Sequence, residues 1–213
     1  VLYYIAENLA VRADEYAARI AALTGGGPQA AEREVAGAIA RLFTYAAWAD
    51  KWDGAVHHTP IRGVTLAMNE PVGVLGVVAP EECPLLGFLS LVAPAIAVGN
   101  TVIAVPSEAH PLAATEFYTV LETSDVPDGV VNVVTGAKDA LAQVLADHDD
   151  VDGVWYCGGA AGAQAVELAS AANMKRTWVA TRPRDWLDPR QGEGREFLRH
   201  ASEVKNIWIP YGE

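Results

Sequence analysis

The sequence predicts an α/β fold: a doubly wound, Rossmann-like parallel sheet preceded by N-terminal helices and joined to a small β arm. Three observations predict it. Val- and Ile-rich segments of strand length recur at 73–79, 101–105, 130–134, 153–157 and 176–180. Helical stretches at 84–98, 111–123, 137–147 and 160–173 separate them. Strands that are apolar throughout, rather than alternating, belong to a sheet covered on both faces, and right-handed crossovers then give the layered fold.

Taken in order, Leu2, Ile5, Leu9, Ala13, Tyr16, Ile20 and Leu23 fall at helical spacing. They predict one amphipathic helix over 1–23, stopped by Thr24-Gly25-Gly26-Gly27-Pro28. Val35, Ile39, Leu42, Phe43 and Ala46 repeat the pattern to about Trp52, and Gly54 with Thr59-Pro60 ends it. Residues 61–69 alternate weakly around Gly63 and read as an edge strand or hairpin arm. Pro127-Asp128-Gly129 is a turn, with φ fixed by the proline and a left-handed residue allowed by the glycine. Beyond Ala180, Thr181 to Arg190 and Gly192-Glu193-Gly194 have loop chemistry. A short helix over 195–201 and a last strand over 204–209 follow. A lone strand is not stable, so this one is expected to pair, and the arm at 61–69 is the nearest candidate.

The chain has 213 residues, 51% of them hydrophobic and 20% charged, enough for a full core. Its formal charge of −12 argues against nucleic acid as a partner, since phosphate binding needs clustered Lys and Arg. Charges at Glu7, Arg12, Asp14 and Glu15 interrupt the first helix, so neither a signal peptide nor a membrane span is expected. Opening within a helix on Val1 suggests a segment of a longer polypeptide. The two cysteines, Cys83 and Cys157, lie far apart in apolar surroundings and are expected to be buried free thiols of a cytoplasmic protein. The five histidines, His57 and His58 included, show no metal-ligand spacing, so no metal is expected.

A set of short motifs resembles the aldehyde dehydrogenase superfamily. They are Trp48-Ala49-Asp50-Lys51, Glu70-Pro71-Val72-Gly73, Ala93-Pro94-Ala95 to Gly99-Asn100-Thr101-Val102, Pro127 to Gly136, Asp150-Val151-Asp152 and Ala172-Asn173-Met174-Lys175-Arg176. Singly they are weak, but their order and spacing are specific. The resemblance reaches nearly the whole chain apart from 181–190.

What that resemblance implies is mostly loss. Active members have Pro-Trp-Asn-Phe-Pro after the first strand, with the asparagine donating to the oxyanion. Here the segment is Pro80-Glu81-Glu82-Cys83-Pro84, so Glu82 stands at the donor position, and a carboxylate does not donate. The Lys-Pro-x-Glu motif that binds the adenosine ribose is Val105-Pro106-Ser107-Glu108, which keeps only Glu108. The Phe-Thr-Gly-Ser phosphate turn is Tyr156-Cys157-Gly158-Gly159, which leaves backbone amides at a helix start. The general-base glutamate of Leu-Glu-Leu-Gly-Gly is replaced by Ala180, and the subdomain carrying the nucleophilic cysteine has no room before the closing strand. A carboxylate ~6 Å from a pyrophosphate would cost about 3 kcal/mol at an effective dielectric of about 20. Each lost side-chain contact would add roughly 1–3 kcal/mol.

The resemblance therefore implies no catalytic residue, with Glu82 and Ala180 as degenerate positions. It implies at most a vestigial cofactor site at Glu108, Gly158 and Gly159, and no cofactor for this chain. It also implies an intact oligomerisation surface formed by Ile61, Val64, Leu66, Val204, Ile207, Trp208 and Ile209. The pattern is most similar to the non-catalytic C-terminal domain of family 16 aldehyde dehydrogenases. Expected boundaries are helices at 1–60, the arm at 61–72, the Rossmann-like core at 73–180, a remnant of the catalytic subdomain at 181–202 and the oligomerisation strand at 203–213. Partners would be further copies, an aldehyde dehydrogenase catalytic domain of the same polypeptide, or both. Two alternatives follow from the same residues. One is the cofactor-binding part of an active NAD(P)-dependent enzyme, with NAD as cofactor. The other is a regulatory module that binds a nucleotide in the crevice.

Overall fold

The computed structural model describes residues 1–60 and 62–211. Helices α1 (Leu2–Val11), α2 (Ala13–Thr24) and α3 (Pro28–Trp48) come first, followed by strands β1 (Ala55–His57) and β2 (Gly63–Pro71). The α/β core runs β3 (Val74–Val78), α4 (Leu86–Ala97), β4 (Thr101–Val105), α5 (Leu112–Thr115), α6 (Tyr118–Glu122), β5 (Val131–Val133), α7 (Lys138–Asp147), β6 (Gly153–Cys157), α8 (Ala160–Ser170) and β7 (Arg176–Ala180). Short helices α9 (Pro189–Gly192) and α10 (Arg195–His200) lead into the final strand β8 (Ser202–Pro210).

The core sheet is parallel, with five strands in the order β5-β4-β3-β6-β7, as the Val/Ile runs predict. Val77 of β3 lies between Ala104 of β4 and Trp155 of β6. Helices cover both faces: α4, with α3 beneath it, packs on one side, and α7 and α8 pack on the other. Trp155 and Trp178 are register partners on β6 and β7 and meet edge to face with ring centroids 5.0 Å apart.

Several elements differ from expectation. The single helix over 1–23 is broken at Arg12, because both halves are tied to the α5–α6 region. Asn8 donates to the Thr123 carbonyl at 2.8 Å, and Arg12 to the Thr119 hydroxyl at 3.0 Å. The helix expected over 111–123 is likewise two short pieces. At their junction the Glu116 carbonyl accepts from the Tyr16 hydroxyl, which draws it away from regular helical pairing. The long second helix ends at Trp48, before the expected Trp52.

The arm also differs. It begins with β1 at Ala55, before the expected boundary at 61, and β2 is its middle strand, not an edge. The three strands are antiparallel in the order β1-β2-β8, and β2 pairs with β8 along its full length from Gly63↔Pro210 to Pro71↔Ser202. The chain is able to fold β1 back because Trp52 to Gly54 leaves the helix, and Asn69 donates to the Asp53 carbonyl at 2.6 Å to hold the turn. Ile61 lies outside the described residues. Among the described residues no helix is long and apolar enough to cross a membrane.

Candidate functional site

Parallel α/β sheets present a crevice at the carboxyl ends of their strands. Here that crevice is formed by the β3–α4 loop, the start of α7, the β6–α8 turn and the segment after β7. Glu81, Glu82, Lys138, Gly158, Gly159 and Arg184 are among its lining residues. Its volume is about 250 Å³.

Glu81 organises one wall. Its carboxylate accepts from the Ser107 hydroxyl at 2.6 Å, from the Ala109 amide at 3.2 Å and from the Lys138 ammonium at 3.0 Å. Burial pushes the Glu81 carboxyl up, but those donors outweigh it and bring its pKa down to about 2. Glu108 has also found a partner: its carboxylate accepts from the Lys138 amide at 2.8 Å, capping the start of α7. Lys138 itself is 8% exposed. A lysine on the first turn opposes the helix dipole, and the two carboxylates compensate it. The sequence offered no local signal for Lys138, because both acids come from distant loops.

The glycine turn is shaped from below. A side chain at Gly158 or Gly162 would collide with the Tyr156 hydroxyl, which donates to Asp139 at 2.6 Å. Burial and that carboxylate both push the Tyr156 pKa up. The Gly158 amide donates to the Ala180 carbonyl at 3.1 Å, so it is engaged within the sheet. A Cβ at Gly159 would meet nothing, and no side chain caps α8 there. Glu108, Gly158 and Gly159 line a shallow hollow beside the crevice; Glu108 is exposed but engaged with α7, the Gly158 amide is engaged within the sheet, and a side chain at Gly159 would meet nothing.

The two thiols are free, as expected, but only Cys157 is buried; Cys83 is half-exposed, with φ of 50°. Cys83 is left partly open because the loop there turns through the left-handed region to present its carbonyl to the Gly87 amide. Burial pushes both thiols up to about 11, and Glu34, Asp185 and Glu82 add to the effect at Cys83. Both are protonated near neutral pH, which disfavours nucleophilic chemistry. Ala180, at the end of β7, offers no ionisable group. The following segment turns across the crevice and buries Trp186 at 2% exposure.

That segment is anchored by a residue the sequence reading passed over. Arg41 of α3 is 3% exposed; it donates to the Ser90 hydroxyl at 2.9 Å and to the Trp186 carbonyl at 3.1 Å, and pairs with Glu193 at 3.0 Å. Its neighbour on the same buried stripe, Glu34, accepts from the Leu85 and Leu86 amides at 2.8 and 3.3 Å, capping α4 from another helix. Burial raises the Glu34 pKa, and those amides partly offset it. Two charges seven residues apart on the apolar face of α3 were the available signal.

The arm carries a second candidate surface. Strand register places Val56, Leu66 and Ile207 in one row and Val64 and Ile209 in the next, with Met68 on the same side. This face is turned away from the body. Val56 is 72% exposed, Ile209 49% and Met68 43%. The structure therefore gathers Val64, Leu66, Ile207 and Ile209 on one face. It puts Val204 and Trp208 on the opposite one, since side chains alternate along a strand. The expected oligomerisation residues of the described arm are thus divided between its two faces.

The sequence profile of the aldehyde dehydrogenase family matches residues 1–181. The chain belongs to that family. The NADP/NAD-dependent aldehyde dehydrogenase PuuC of Escherichia coli (strain K12) is 35% identical over 182 residues, covering 84% of this chain and 37% of its own. Aldehyde dehydrogenase 1A1 of Equus caballus is 36% identical over 144 residues, covering 67% and 29%. Among solved structures, lactaldehyde dehydrogenase from Escherichia coli superposes with a TM-score of 0.81 at 27% identity, covering 86% of this chain and 39% of that one. PnpE from Pseudomonas sp. WBC-3 gives 0.81 at 28% identity, covering 84% and 37%, and PnpE in complex with nicotinamide adenine dinucleotide gives the same values. The chain thus spans between 29% and 39% of the length of these relatives. The family match ends at 181, so α9, α10 and β8 lie beyond it.

Proposed function

We propose that this chain is a non-catalytic aldehyde dehydrogenase-like domain that holds protein surfaces together, similar to the C-terminal domain of family 16 aldehyde dehydrogenases. Its partners are further copies of itself, an aldehyde dehydrogenase catalytic domain of the same polypeptide, or both. The observation that carries this reading is the apolar outer face of the arm, centred on the Val56-Leu66-Ile207 row. Apolar area of this kind, beside the unpaired edge of β8, favours burial against another protein.

The non-catalytic half of the reading rests on the crevice. Both thiols are protonated near neutral pH, Glu82 and Ala180 stand at the degenerate catalytic positions, and Glu81 faces inward. A dinucleotide fits these residues poorly. Glu108 and the Gly158 amide already have partners, leaving the turn at Gly159 as the one open contact among the expected three. The purified chain assayed with several aldehydes and with NAD or NADP is expected to show no turnover. Turnover that disappears with Cys83→Ser or Cys157→Ser would overturn the proposal.

A second reading has a specific observation in its favour. The relatives it matches are named as aldehyde dehydrogenases, one of them NADP/NAD-dependent, and are much longer, so the chain would be the cofactor-binding part of an NAD(P)-dependent enzyme. A catalytic subdomain encoded within the same polypeptide, restoring NAD-dependent oxidation, distinguishes it. The open turn at Gly159 also leaves room for a regulatory nucleotide, which calorimetry with NAD, NADP and adenine nucleotides tests directly.

A further inference from the structure

Between the body and the arm lies a cleft of about 800 Å³, separate from the crevice and from the apolar outer face. It is bounded by the chain after α3, the inward face of the arm, the start of β7 and α10. Four cationic side chains converge on it, Lys51, Arg176, Arg195 and Arg199, with Asp53 the one carboxylate among its lining residues. In a chain with a formal charge of −12, that concentration of positive charge calls for an explanation.

Local stability does not supply one. Arg195 and Arg199 are four residues apart on α10, where like charges repel. No ion pair among the described residues involves either of them. Lys51 and Arg176 do have acidic partners, Asp50 and Glu203, but both pairs are solvent-exposed and exchangeable.

Two of the guanidinium groups are nevertheless positioned by neutral neighbours. Arg195 lies 5.4 Å from the Trp48 ring centroid and 5.8 Å from that of Trp52. Trp52 is itself fixed by its indole N–H, which donates to the Ser202 hydroxyl at 2.9 Å. Arg176 donates to the Ser202 carbonyl at 2.9 Å. Aromatic stacking holds Arg195 without neutralising it, and Arg176, beside its backbone contact, has among the described residues only the exposed pair with Glu203, so both charges remain available.

We propose that this cleft binds a small multivalent oxyanion, a compound carrying two or more phosphate or carboxylate groups. Guanidinium forks match both groups with paired hydrogen bonds, and the volume suits a small molecule. Arg195 and Arg199 contact the anion first, Arg176 closes on it from β7, and Trp52 offers an apolar wall.

Calorimetric titration of the chain with pyrophosphate and, separately, with citrate, at about 50 mM salt where screening is moderate, tests the proposal. At least one anion is expected to bind at a single site, and the arm that binds names the chemical class. Arg199→Ala is expected to weaken binding about tenfold, and the Arg195→Ala/Arg199→Ala pair to abolish it. The unliganded melting temperature of the Arg199→Ala variant should change little, because the like-charge contact it removes offsets the loss of a favourable charge in the last turn of α10. Arg199→Gln, which keeps the length and polarity of the side chain, is expected to show the same loss and controls for folding. No saturation by either anion at about 5 mM, or wild-type affinity in the Gln variant, would overturn the proposal. Wild-type affinity would place any bound anion elsewhere, such as the Gly159 turn.

Discussion

In the parallel sheet, Leu75, Val77, Val154 and Trp155 are each exposed by 2% or less, with helices on both faces. In the antiparallel arm, Val56, Met68, Val204, Trp208 and Ile209 are each exposed by 43% or more. Residue types are similar in the two regions; what differs is whether the chain itself supplies the covering layer. The core sheet has its layers from α3, α4, α7 and α8, so it is stable by its own packing. The arm buries mainly Thr65, Ala67 and Ser202 on its inward side, and its outward side is left apolar. One region is covered by its own chain; the other leaves an apolar face open, which is the basis of the proposed docking.

Substitutions separate the two regions by size of effect. Phe88→Ala, in the first turn of α4 and fully buried, is expected to cost about 3–5 kcal/mol, read as a fall in the urea midpoint at unchanged slope. Next comes Arg41→Ala, which removes the anchor of the Trp186 segment and leaves Glu193 without its partner. A loss of about 3 kcal/mol is expected by the same measurement. A change below about 1 kcal/mol would show that the segment over the crevice is held by something other than that guanidinium.

Glu81→Gln sharpens the comparison through pH. Its folded pKa of about 2 lies below the usual 4.5, so its contribution is complete above the usual value and disappears as pH falls through 2. The variant is expected to lose about 1 kcal/mol at neutral pH, discounted for partial exposure, and to show a flatter decline between about pH 5 and 2. An unchanged acid limb in thermal melts would remove Glu81 from the account. The smallest effect belongs to the arm's inward-facing edge. Trp208→Ala is expected to alter stability by no more than about 0.5 kcal/mol and to leave assembly intact, since Trp208 is on the face opposite Leu66 and Ile207.

Much of the parallel core was legible, because Val/Ile runs and helical periodicity are local signals that packing reinforces. The five strands are centred where those runs lie, and β8 pairs with the expected arm. The arm was harder. Ala55-Val56-His57 is too short to show a pattern, so β1 leaves no sign in the sequence, and 61–69 reads as an edge strand or hairpin arm rather than as a middle strand. The division of Val204 and Trp208 from Ile207 and Ile209 follows from period-2 alternation alone, whereas which face turns outward depends on how the arm packs. In the crevice, the replacements at Glu82, Val105 and Ala180 and the retained Glu108 are visible position by position. The partners of Glu81 and Lys138 are not, because loops from residues 81, 107–109 and 138 meet only after the sheet has formed. For the same reason the charges at Glu34 and Arg41 could be noticed on an apolar stripe but not assigned.

Sedimentation equilibrium on the chain and on its Ile207→Lys/Ile209→Lys variant tests the central claim most directly. The account predicts a wild-type mass that is a multiple of 22.6 kDa, and a variant that sediments as a single 22.6 kDa chain with an unchanged circular dichroism spectrum. A wild-type chain that remains at 22.6 kDa at every concentration, or a variant that assembles as well as the wild type, would contradict it.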